Sequence, residues 1–380
     1  MDFELTDRQK ELKQDALSFA SQFNKDLVKA DELGEFSYEN WKKCAKFGLL
    51  GLQVSNEFGG QNRSLSESIP ILEGFGYGCQ DEGLCFAVNS TLWSVVEILN
   101  LFATTQQKQD YLLPVVQGKK IGAFAMTEAE SGSDCFSLTT TARSTDDSFI
   151  LNGRKELITF APIADFAIVF AKTNPDAGTW GVSAFIVDSN TLGYQASGVQ
   201  SKMGLRTTPI GSIDLSECTI AQHQLLGKIG AGASMFNRAQ EAERGCILAS
   251  QLGAMERQLK DTAQFAKKRK QFGQPISKFQ SVSNRIVQMK LRYEISRLLI
   301  YKTAWLRENK KPVMSDAALT NLYVAEQYIA SSMDAIMIRG GRGYLTENEV
   351  ERNLRDAIAA PLYGGTADIQ RELVARLMGL

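Results

Sequence analysis

The spacing of apolar residues changes twice along this chain of 380 residues, and this change limits the possible folds more than any other feature. In the first part, apolar residues recur at intervals of three and four, which predicts helices. Short β-rich runs such as FILNG and FAIVFAK follow, separated by Gly, Asn, Asp and Pro turns. Long amphipathic stretches then predict a helical bundle. We therefore expect an α+β protein with an N-terminal α-helical domain (1–119), a middle antiparallel β-domain (120–228) and a C-terminal four-helix bundle (229–380).

Charge and residue inventory exclude several classes of function. Lys and Arg total 42 against 43 Asp and Glu, which gives no electrostatic case for binding nucleic acid. His223 is the only histidine and lies in the polar stretch AQHQLLG, so neither a Ser-His-Asp triad nor a multi-histidine metal site is expected. The six cysteines show no CxxC spacing, and we see neither a signal sequence nor an apolar run near the ~20 residues of a membrane span. These features predict a cytoplasmic protein without metal or membrane.

A segment of small and hydroxylated residues, AMTEAESGSDCFS at 125–137, lies where the helical pattern gives way to the strand pattern. A turn of small residues exposes backbone N–H groups and hydroxyls that can bond the edge of a flavin ring and a phosphate. The segment satisfies every position of the first signature of the acyl-CoA dehydrogenase superfamily. The chain thus resembles that superfamily, which implies FAD as cofactor and an acyl-CoA dehydrogenase-like fold.

Other segments follow in family order, so the resemblance covers the whole chain. They are FGLLGLQVSNEFGG (47–60), NGRKELIT (152–159), KMGLR (202–206), RKQFGQPISKFQ (269–280) and RGGRGYLTENEVERNLRDA (339–357). No GxGxxG motif follows a strand, so the FAD would not lie on a Rossmann fold.

The resemblance implies FAD contacts in distant parts of the chain. Phe124, Met126 and Thr127 would line the isoalloxazine ring, and Ser133 would reach the pyrophosphate or the substrate. The further FAD positions are Leu157, Ile158, Thr159, Met337, Thr366 and Asp368. In relatives, the FAD of a neighbouring subunit is held at the positions of Arg269, Gln271, Phe272, Phe279, Gln280, Gly340 and Gly341. A homo-oligomer, either dimer or tetramer, is therefore implied.

The catalytic base departs from the commoner family pattern. In LYGGTADIQR (362–371), Gly364 replaces the glutamate that most relatives use. A minority resembling isovaleryl-CoA and long-chain acyl-CoA dehydrogenases instead carry the base in a Glu-Arg pair on a bundle helix, and QEAERGCIL (240–248) contains such a pair. Glu243 is therefore the predicted base, although a solvated helix glutamate is the commoner fate of this residue type. The resemblance makes Gly364 a main-chain donor to the thioester carbonyl, and the implied substrate contacts are Ser133, Glu241, Arg244, Tyr363 and Gly365.

The resemblance implies an FAD-dependent dehydrogenase or oxidase of an acyl thioester. Glu243 would remove the α-proton while a hydride passes to flavin N5. The favoured substrate is a prolyl group on an acyl or peptidyl carrier protein in natural-product biosynthesis. Two alternatives stay open, a short- or branched-chain acyl-CoA dehydrogenase and an inactive homologue that acts as a binding protein. The electron acceptor is also open between oxygen and an electron-transfer flavoprotein, because Leu157 is smaller than the usual aromatic residue and would expose the flavin.

Overall fold

A computed structural model describes residues 4–380 of the protein. Helices form its N-terminal part. Thr6 starts the first helix with a capping box, in which Thr6 and Gln9 each accept a hydrogen bond from the other's backbone N–H. The helices are α1 Asp7–Ala20, α2 Leu27–Leu33, α3 Tyr38–Phe47, α4 Leu65–Gly78, α5 Glu82–Ser90, α6 Glu97–Phe102, α7 Thr105–Gln107 and α8 Leu113–Val116.

One helical stretch corrects an expectation from the sequence. A π-helical segment, Thr91–Val96, joins α5 to α6, and the combined stretch Glu82–Phe102 is long and apolar enough to cross a membrane. No such run was expected from the sequence. Of its most apolar 18 residues, 78% are buried inside the protein, and Trp93 is 1% exposed. A mostly apolar helix that is buried on most sides is typical of a protein core, which accounts for its composition.

A single mixed sheet forms the middle part, whereas the sequence predicted an antiparallel one. Its strands are β1 Gly122–Ala125, β2 Thr141–Ser144, β3 Ser148–Thr159, β4 Phe166–Lys172, β5 Val182–Asp188, β6 Tyr194–Ala196, β7 Ile210–Ala221 and β8 Leu225–Leu226. They lie in the order β6-β7-β3-β2-β4-β5-β8, with β1 beside β4. Both β1 and β2 run parallel to β4, and the other neighbouring strands are antiparallel.

The parallel pairing has a simple cause in the path of the chain. Gly122 of β1 lies opposite Phe166, and Thr141 of β2 lies opposite Lys172, so β1 and β2 follow one another along β4. The chain leaves the sheet between them as the loop 126–140. Since this loop contains most of the signature segment, the interruption presents the segment at one place on the sheet.

Long helices form the C-terminal part and confirm the expected bundle. They are α9 Gly232–Cys246, α10 Ala249–Lys268, α11 Gln280–Glu308, α12 Met314–Arg339, α13 Gly341–Tyr344, α14 Val350–Ala357 and α15 Ala367–Leu377. The short strands β9 Lys270–Gln271 and β10 Gln274–Pro275 form an antiparallel pair between α10 and α11. Helices α10, α11 and α12 pack against each other, and α9 and α15 pack on α12.

Helices α4 and α10 approach so closely that only glycine fits where they meet. A Cβ at Gly253 would lie 2.0 Å from the carbonyl oxygen of Glu73, and one at Gly76 would lie 1.9 Å from that of Ser250. No side chain can be accommodated at these separations. The contact fixes the N-terminal part against the helix that follows α9.

The KMGLR segment and the two threonines after it connect all three parts. The Thr207 hydroxyl donates to Asp81 at 2.5 Å, and the Thr208 hydroxyl donates to the Gly83 carbonyl at 2.6 Å. On the other side, the Leu205 N–H donates to Asp356 of α14 at 2.6 Å. These buried bonds hold the sheet against both helical parts, since each would be costly to break without replacement.

Candidate active site

Helix α9 places Glu243 inside the protein, which overturns the interpretation of this residue as a solvated helix glutamate. Its side chain is 8% exposed, and burial raises its pKa to about 8 although the positive charge of Arg244 opposes the rise. Its Oε2 accepts a hydrogen bond from Gln240 at 3.0 Å. Its Oε1 makes no hydrogen bond within residues 4–380. One carboxyl oxygen is therefore held in place and the other is free to take a proton.

The glycine loop before α15 lies directly beside Glu243. A Cβ at Gly364 would stand 3.9 Å from the Cβ of Glu243. Arg244 Nε donates to the Gly364 carbonyl at 3.1 Å, and Gln370 Nε2 donates to the carbonyls of Gly364 and Gly365 at 2.9 Å each. Both glycines have positive φ, +70° and +90°, which disfavours any other residue. The adjacent residues Glu243 and Arg244 of α9 are thus in direct contact with this loop.

The two backbone polar groups of Gly364 differ, because its carbonyl is hydrogen-bonded within residues 4–380 and its N–H is not. Its carbonyl is occupied as described, whereas its N–H donates no hydrogen bond within the described chain. Tyr363, the preceding residue, packs its ring at 4.8 Å from that of Phe86 on α5. An unoccupied backbone N–H next to a buried carboxyl is the arrangement that an enolate-forming reaction needs, because the donor can bond the developing negative oxygen.

A buried ion pair shapes the signature loop. Lys155 of β3 is 0% exposed, and its Nζ donates to Glu128 at 2.8 Å and to the Met126 carbonyl at 3.0 Å. The Glu128 carboxylate also accepts from the backbone N–H groups of Thr139 and Thr140, at 2.6 and 3.0 Å. Burial alone would raise the pKa of Glu128, but Lys155 and these hydrogen bonds outweigh it and lower the pKa to about 2. The ion pair ties both ends of the loop to the sheet.

Next to the loop, β3 departs from regular pairing and turns an apolar side chain outward. The register with β7 shifts between Lys155 and Ile158, and Leu157 has a φ of +57°. Its side chain is 63% exposed, and the neighbouring Glu156 N–H donates to the Thr127 carbonyl at 2.9 Å. Such bulges often re-aim a side chain next to an active site. Leu157 therefore presents an apolar surface beside the signature loop.

The residues of this region fit a flavin dinucleotide. Within residues 4–380 the hydroxyls of Thr127, Ser133 and Thr159 make no hydrogen bond and are free for a ligand. Met126 gives a buried apolar floor, and Phe124 and Ile158 lie on the adjacent strands. A hydroxyl-rich loop beside apolar side chains matches the mixed character of an isoalloxazine ring and its diphosphate. Bound there, FAD would supply the acceptor for a hydride.

The signature loop also contacts the helix that carries Glu243. Phe136 packs edge-on against Phe236 of α9, with ring centroids 5.8 Å apart, and Phe124 of β1 stacks on Phe236 at 6.2 Å. Phe236 precedes Glu243 by two helical turns, about 10 Å along the axis. The predicted flavin contacts and the predicted base are thus brought to one region. Glu241 lies there too, paired with Arg238 at 3.0 Å.

A second group of predicted FAD residues lies elsewhere in the chain. Arg269 follows α10, which at 1.5 Å per residue extends about 30 Å away from α9. Phe272, at the turn between β9 and β10, is 93% exposed. The remaining members of this group are Gln271, Phe279, Gln280, Met337, Gly340 and Gly341. This group lies far from Glu243 within one chain, so a role at the site requires a second copy.

Two predicted FAD residues have structural roles at the start of α15. The Thr366 hydroxyl accepts from the Ile369 N–H at 3.3 Å and caps the helix, while exposed Asp368 pairs with Arg371 at 3.0 Å. The only histidine, His223, is exposed on the 3-10 turn Gln222–Gln224, as expected. Among the residues described, no cluster of His, Cys, Asp and Glu has the arrangement of a metal site.

Family models of acyl-CoA dehydrogenases match the chain in three consecutive parts. The N-terminal domain model matches residues 6–119, the middle domain model 123–218 and the C-terminal domain model 230–379. Together with the helix-sheet-bundle order and the site, these matches define a flavoprotein oxidoreductase fold. The chain belongs to the acyl-CoA dehydrogenase family.

Similar proteins cover the chain from end to end. An L-prolyl peptidyl-carrier protein dehydrogenase from Serratia sp. is 38% identical over 381 residues, covering 100% of this chain and 99% of the relative. The crystal structure of the prolyl acyl carrier protein oxidase AnaB superposes with a TM-score of 0.98 at 41% identity, covering 99% of this chain and 100% of that one. The FAD complex of PigA gives a TM-score of 0.97 at 38% identity, with 100% of both chains covered.

Some residues that shape the site had no role in the sequence analysis. The sequence could have predicted that Lys155 is buried, because it follows Phe149 and Leu151 on the buried face of β3. A lysine on such an apolar face needs a partner. Gln240 and Gln370 gave no signal, because a helix glutamine has the same local pattern whether it faces solvent or bonds a residue three to six positions away. The same applies to Asn321, whose neighbours along α12 are mixed apolar and polar.

Proposed function

We propose that this protein oxidises a prolyl group that a carrier protein holds as a thioester, with FAD as the cofactor. The observation that carries the proposal is the buried Glu243 beside Gly364 in a chain whose full length matches prolyl carrier protein dehydrogenases and oxidases. The family and the FAD complex of a 38% identical relative confirm that the cofactor is FAD and that the chain is an oxidoreductase.

Glu243 acts as the general base in this proposal. Its free Oε1 removes the α-proton of the prolyl thioester, and the hydrogen on the adjacent ring carbon leaves as a hydride with its electron pair. A carbon-carbon double bond forms between the two positions, so the substrate loses one proton and one hydride. The raised pKa of Glu243 suits this task, because a stronger base takes a weakly acidic α-proton more readily.

The glycine loop stabilises the enolate in this proposal. The Gly364 N–H has no partner within the chain and bonds the thioester oxygen as negative charge develops. Arg244 and Gln370 act as positioning residues, since they hold the carbonyls of Gly364 and Gly365, which lie on the two peptide units that follow this N–H. The loss of a side chain at residue 364 therefore removes no oxyanion donor and leaves space beside Glu243 for a ring.

The substrate and cofactor sites require a second copy of the chain in this proposal. Exposed apolar residues on α11, α12 and the β9–β10 turn support a homo-oligomer, among them Phe272, Val287, Leu291, Met333 and Met337. A phosphopantetheine arm would pass Ser133 and Glu241, which lie on the loop and helix on either side of the site. The free thiols support a cytoplasmic location.

The direct test is product analysis on the carrier. The purified protein is incubated with prolyl-loaded carrier protein in air, and the carrier is followed by intact-mass spectrometry. We expect loss of two hydrogen atoms with wild type and no change with Glu243→Gln. An unchanged prolyl carrier, with oxidation of isovaleryl- or butyryl-CoA instead, would support the acyl-CoA dehydrogenase alternative. A purified protein that binds no FAD would favour the inactive homologue.

The electron acceptor is tested separately by stopped-flow mixing of the reduced protein with aerated buffer. The exposed Leu157 supports the oxidase alternative, because a small side chain leaves access for oxygen. Reoxidation within seconds is the expected result. Reduced flavin that persists for minutes would assign the electrons to a protein acceptor such as an electron-transfer flavoprotein.

A further inference from the structure

Asn321 is a fully buried polar side chain that the protein leaves without a hydrogen bond. It lies on α12 and is 0% exposed, and neither its Nδ2 nor its Oδ1 has a partner within residues 4–380. Buried side-chain amides in proteins are almost always hydrogen bonded, because an unmade bond costs free energy. The missing partner of Asn321 is therefore a group outside this chain.

The orphaned amide faces the same space as the proposed base. Its Nδ2 lies 3.7 Å from the point where a Cβ would stand at Gly364, and the Cβ of Glu243 lies 3.9 Å from that point. Apart from the adjacent residues of its own loop, no other described atom comes within 4 Å of it. A Cβ at residue 364 would therefore be in van der Waals contact with Asn321 and Glu243, so the amide, the carboxyl-bearing residue and the glycine loop meet at one point.

We propose that Asn321 recognises the ring nitrogen of the prolyl group, with its side-chain amide hydrogen-bonded to the pyrrolidine nitrogen. The inference rests on the proposed function and deepens it. In a prolyl thioester the nitrogen is bonded directly to the α-carbon, so a substrate that offers its α-proton to Glu243 also brings its nitrogen close to Asn321. Butyryl and isovaleryl groups carry no polar atom at this position and leave the amide unsatisfied.

The proposal explains why a polar residue is kept in an otherwise apolar core. The adjacent Thr320 is satisfied internally by the 2.7 Å bond between the Thr320 and Thr303 hydroxyls. The buried hydroxyls of Tyr328 and Ser331, further along α12, also lack a partner within residues 4–380, but only Asn321 lies beside Gly364 and Glu243. A site that is built around a substrate N–H discriminates against an analogue without it, since the protein's own group then stays unpaired. We expect a preference of about 10- to 100-fold, the factor that corresponds to one unsatisfied buried polar group.

The test compares two acyl groups on the same carrier protein, prolyl and cyclopentanecarbonyl. They differ only by NH against CH₂ in the ring, and both have hydrogens on the α- and β-carbons. The rate of anaerobic flavin reduction is measured for each, and affinity is measured separately in the Glu243→Gln background, where no turnover occurs. Wild type should favour the prolyl group by about 10-fold or more in both measurements.

The variant Asn321→Leu keeps a similar volume and removes both polar atoms. We expect it to abolish the preference, mainly by weakening the prolyl carrier and leaving the cyclopentanecarbonyl carrier as good or better. Thr320→Val is the matched control, because it removes a buried hydroxyl one residue away that already has a partner. This control should keep the wild-type preference.

Two results would overturn the inference. One is an equal loss with both acyl groups in Asn321→Leu, which would make Asn321 a purely structural residue. The other is a wild-type protein that oxidises both groups equally well, a result that needs no variant and holds even if Asn321→Leu fails to fold. Failure of the proposed function looks different, because wild type would then oxidise neither carrier-bound group.

Discussion

Glu243 owes its chemical character to its surroundings. It is an ordinary glutamate in sequence, but α9 turns it into the protein, and burial raises its pKa from 4.5 to about 8. The adjacent Arg244 offsets only part of that rise, because its guanidinium is directed at the Gly364 carbonyl. A carboxyl that holds its proton this tightly is a strong base once ionised.

Replacement of the base tests this role directly. We expect Glu243→Gln to keep FAD and bind substrate, while the rate of flavin reduction falls by about 10²- to 10⁴-fold, as for loss of a general base. Glu39→Gln is the control, since this exposed glutamate of α3 pairs with Lys43 at 2.7 Å and has no part in the site. Near-normal reduction in Glu243→Gln would remove this residue from the mechanism.

The pH dependence of the rate follows from the same pKa. The base must be ionised, so kcat/KM for flavin reduction should rise with pH and level off above an apparent pKa of about 8. Stopped-flow measurements between about pH 6 and 9 would show the rise. A profile that is flat across this range would mean that Glu243 is already ionised in the free protein.

Stability should show the opposite trend with pH. The folded state binds the Glu243 proton more tightly than the unfolded chain, so this stabilisation is fully present below pH 4.5 and is lost as pH rises towards about 8. Glu243→Gln does not titrate, and its Tm relative to wild type should therefore increase between acid and alkaline buffer. Calorimetry of both proteins measures the difference. A pH-independent gap would contradict the buried, protonated Glu243.

At this scale the sequence predicted the base but not the residues around it. Glu243 was predicted as the base because the missing glutamate at Gly364 and the Glu-Arg pair occur together. Asn321 could not, because a polar residue in a helix has the same local pattern whether it faces solvent or the active site. Only the packing of α12 against the glycine loop distinguishes the two cases.

Among the elements, the signature loop depends on one buried ion pair. Lys155 of β3 reaches both Glu128 and the Met126 carbonyl, and so connects the sheet to the residues predicted to line the flavin. Loss of one partner leaves the other charge buried and unpaired, which costs more than the pair contributes.

Lys155→Met should therefore reduce the free energy of unfolding by about 3–5 kcal/mol and release FAD. Denaturant unfolding and the flavin content of the purified protein measure the two effects. The double variant Lys155→Met/Glu128→Gln should recover part of the stability, because no charge stays unpaired. Arg154→Met, on the exposed side of the same strand, is the control and should lower the free energy of unfolding much less. Equal costs for Lys155→Met and Arg154→Met would contradict the role of the pair.

The sequence predicted most elements but missed features that depend on contacts between distant segments. Helical and strand periods located the helices and the sheet. The parallel pairing of β1 with β4 was missed, because the direction of pairing depends on where the loop 126–140 leaves the sheet. The apolar stretch Glu82–Phe102 was also missed, since scattered polar residues such as Asn89 and Ser90 conceal its overall apolar character.

For the whole molecule, we propose the division into domains 1–119, 120–228 and 229–380. The changes from helix to strand after α8 and from strand to helix before α9 support these limits. Bonds from Thr207, Thr208 and Leu205 connect all three parts, so we expect them to unfold together. The predicted base lies on the third part, whereas the predicted flavin loop lies on the second.

For the whole molecule, we predict the oligomeric state. Wild type should sediment as a dimer or tetramer, because FAD contacts are predicted at Arg269 and the residues after it, which follow the far end of the 20-residue helix α10. Phe272→Asp should give a smaller species that loses FAD, since this side chain is 93% exposed in a single copy. Leu192→Asp, at a 92% exposed position of the sheet part, is the control. Analytical ultracentrifugation of a monomeric wild type with FAD bound would contradict the shared site.

The central claim is that the buried Glu243 serves the oxidation of a carrier-bound prolyl group. The most direct measurement is anaerobic bleaching of the bound flavin by prolyl-loaded carrier protein, isovaleryl-CoA and butyryl-CoA, compared side by side. We predict rapid bleaching by the prolyl carrier alone, and none in Glu243→Gln on the same timescale. Bleaching by a CoA ester but not by the prolyl carrier would contradict the account and assign the protein to acyl-CoA oxidation.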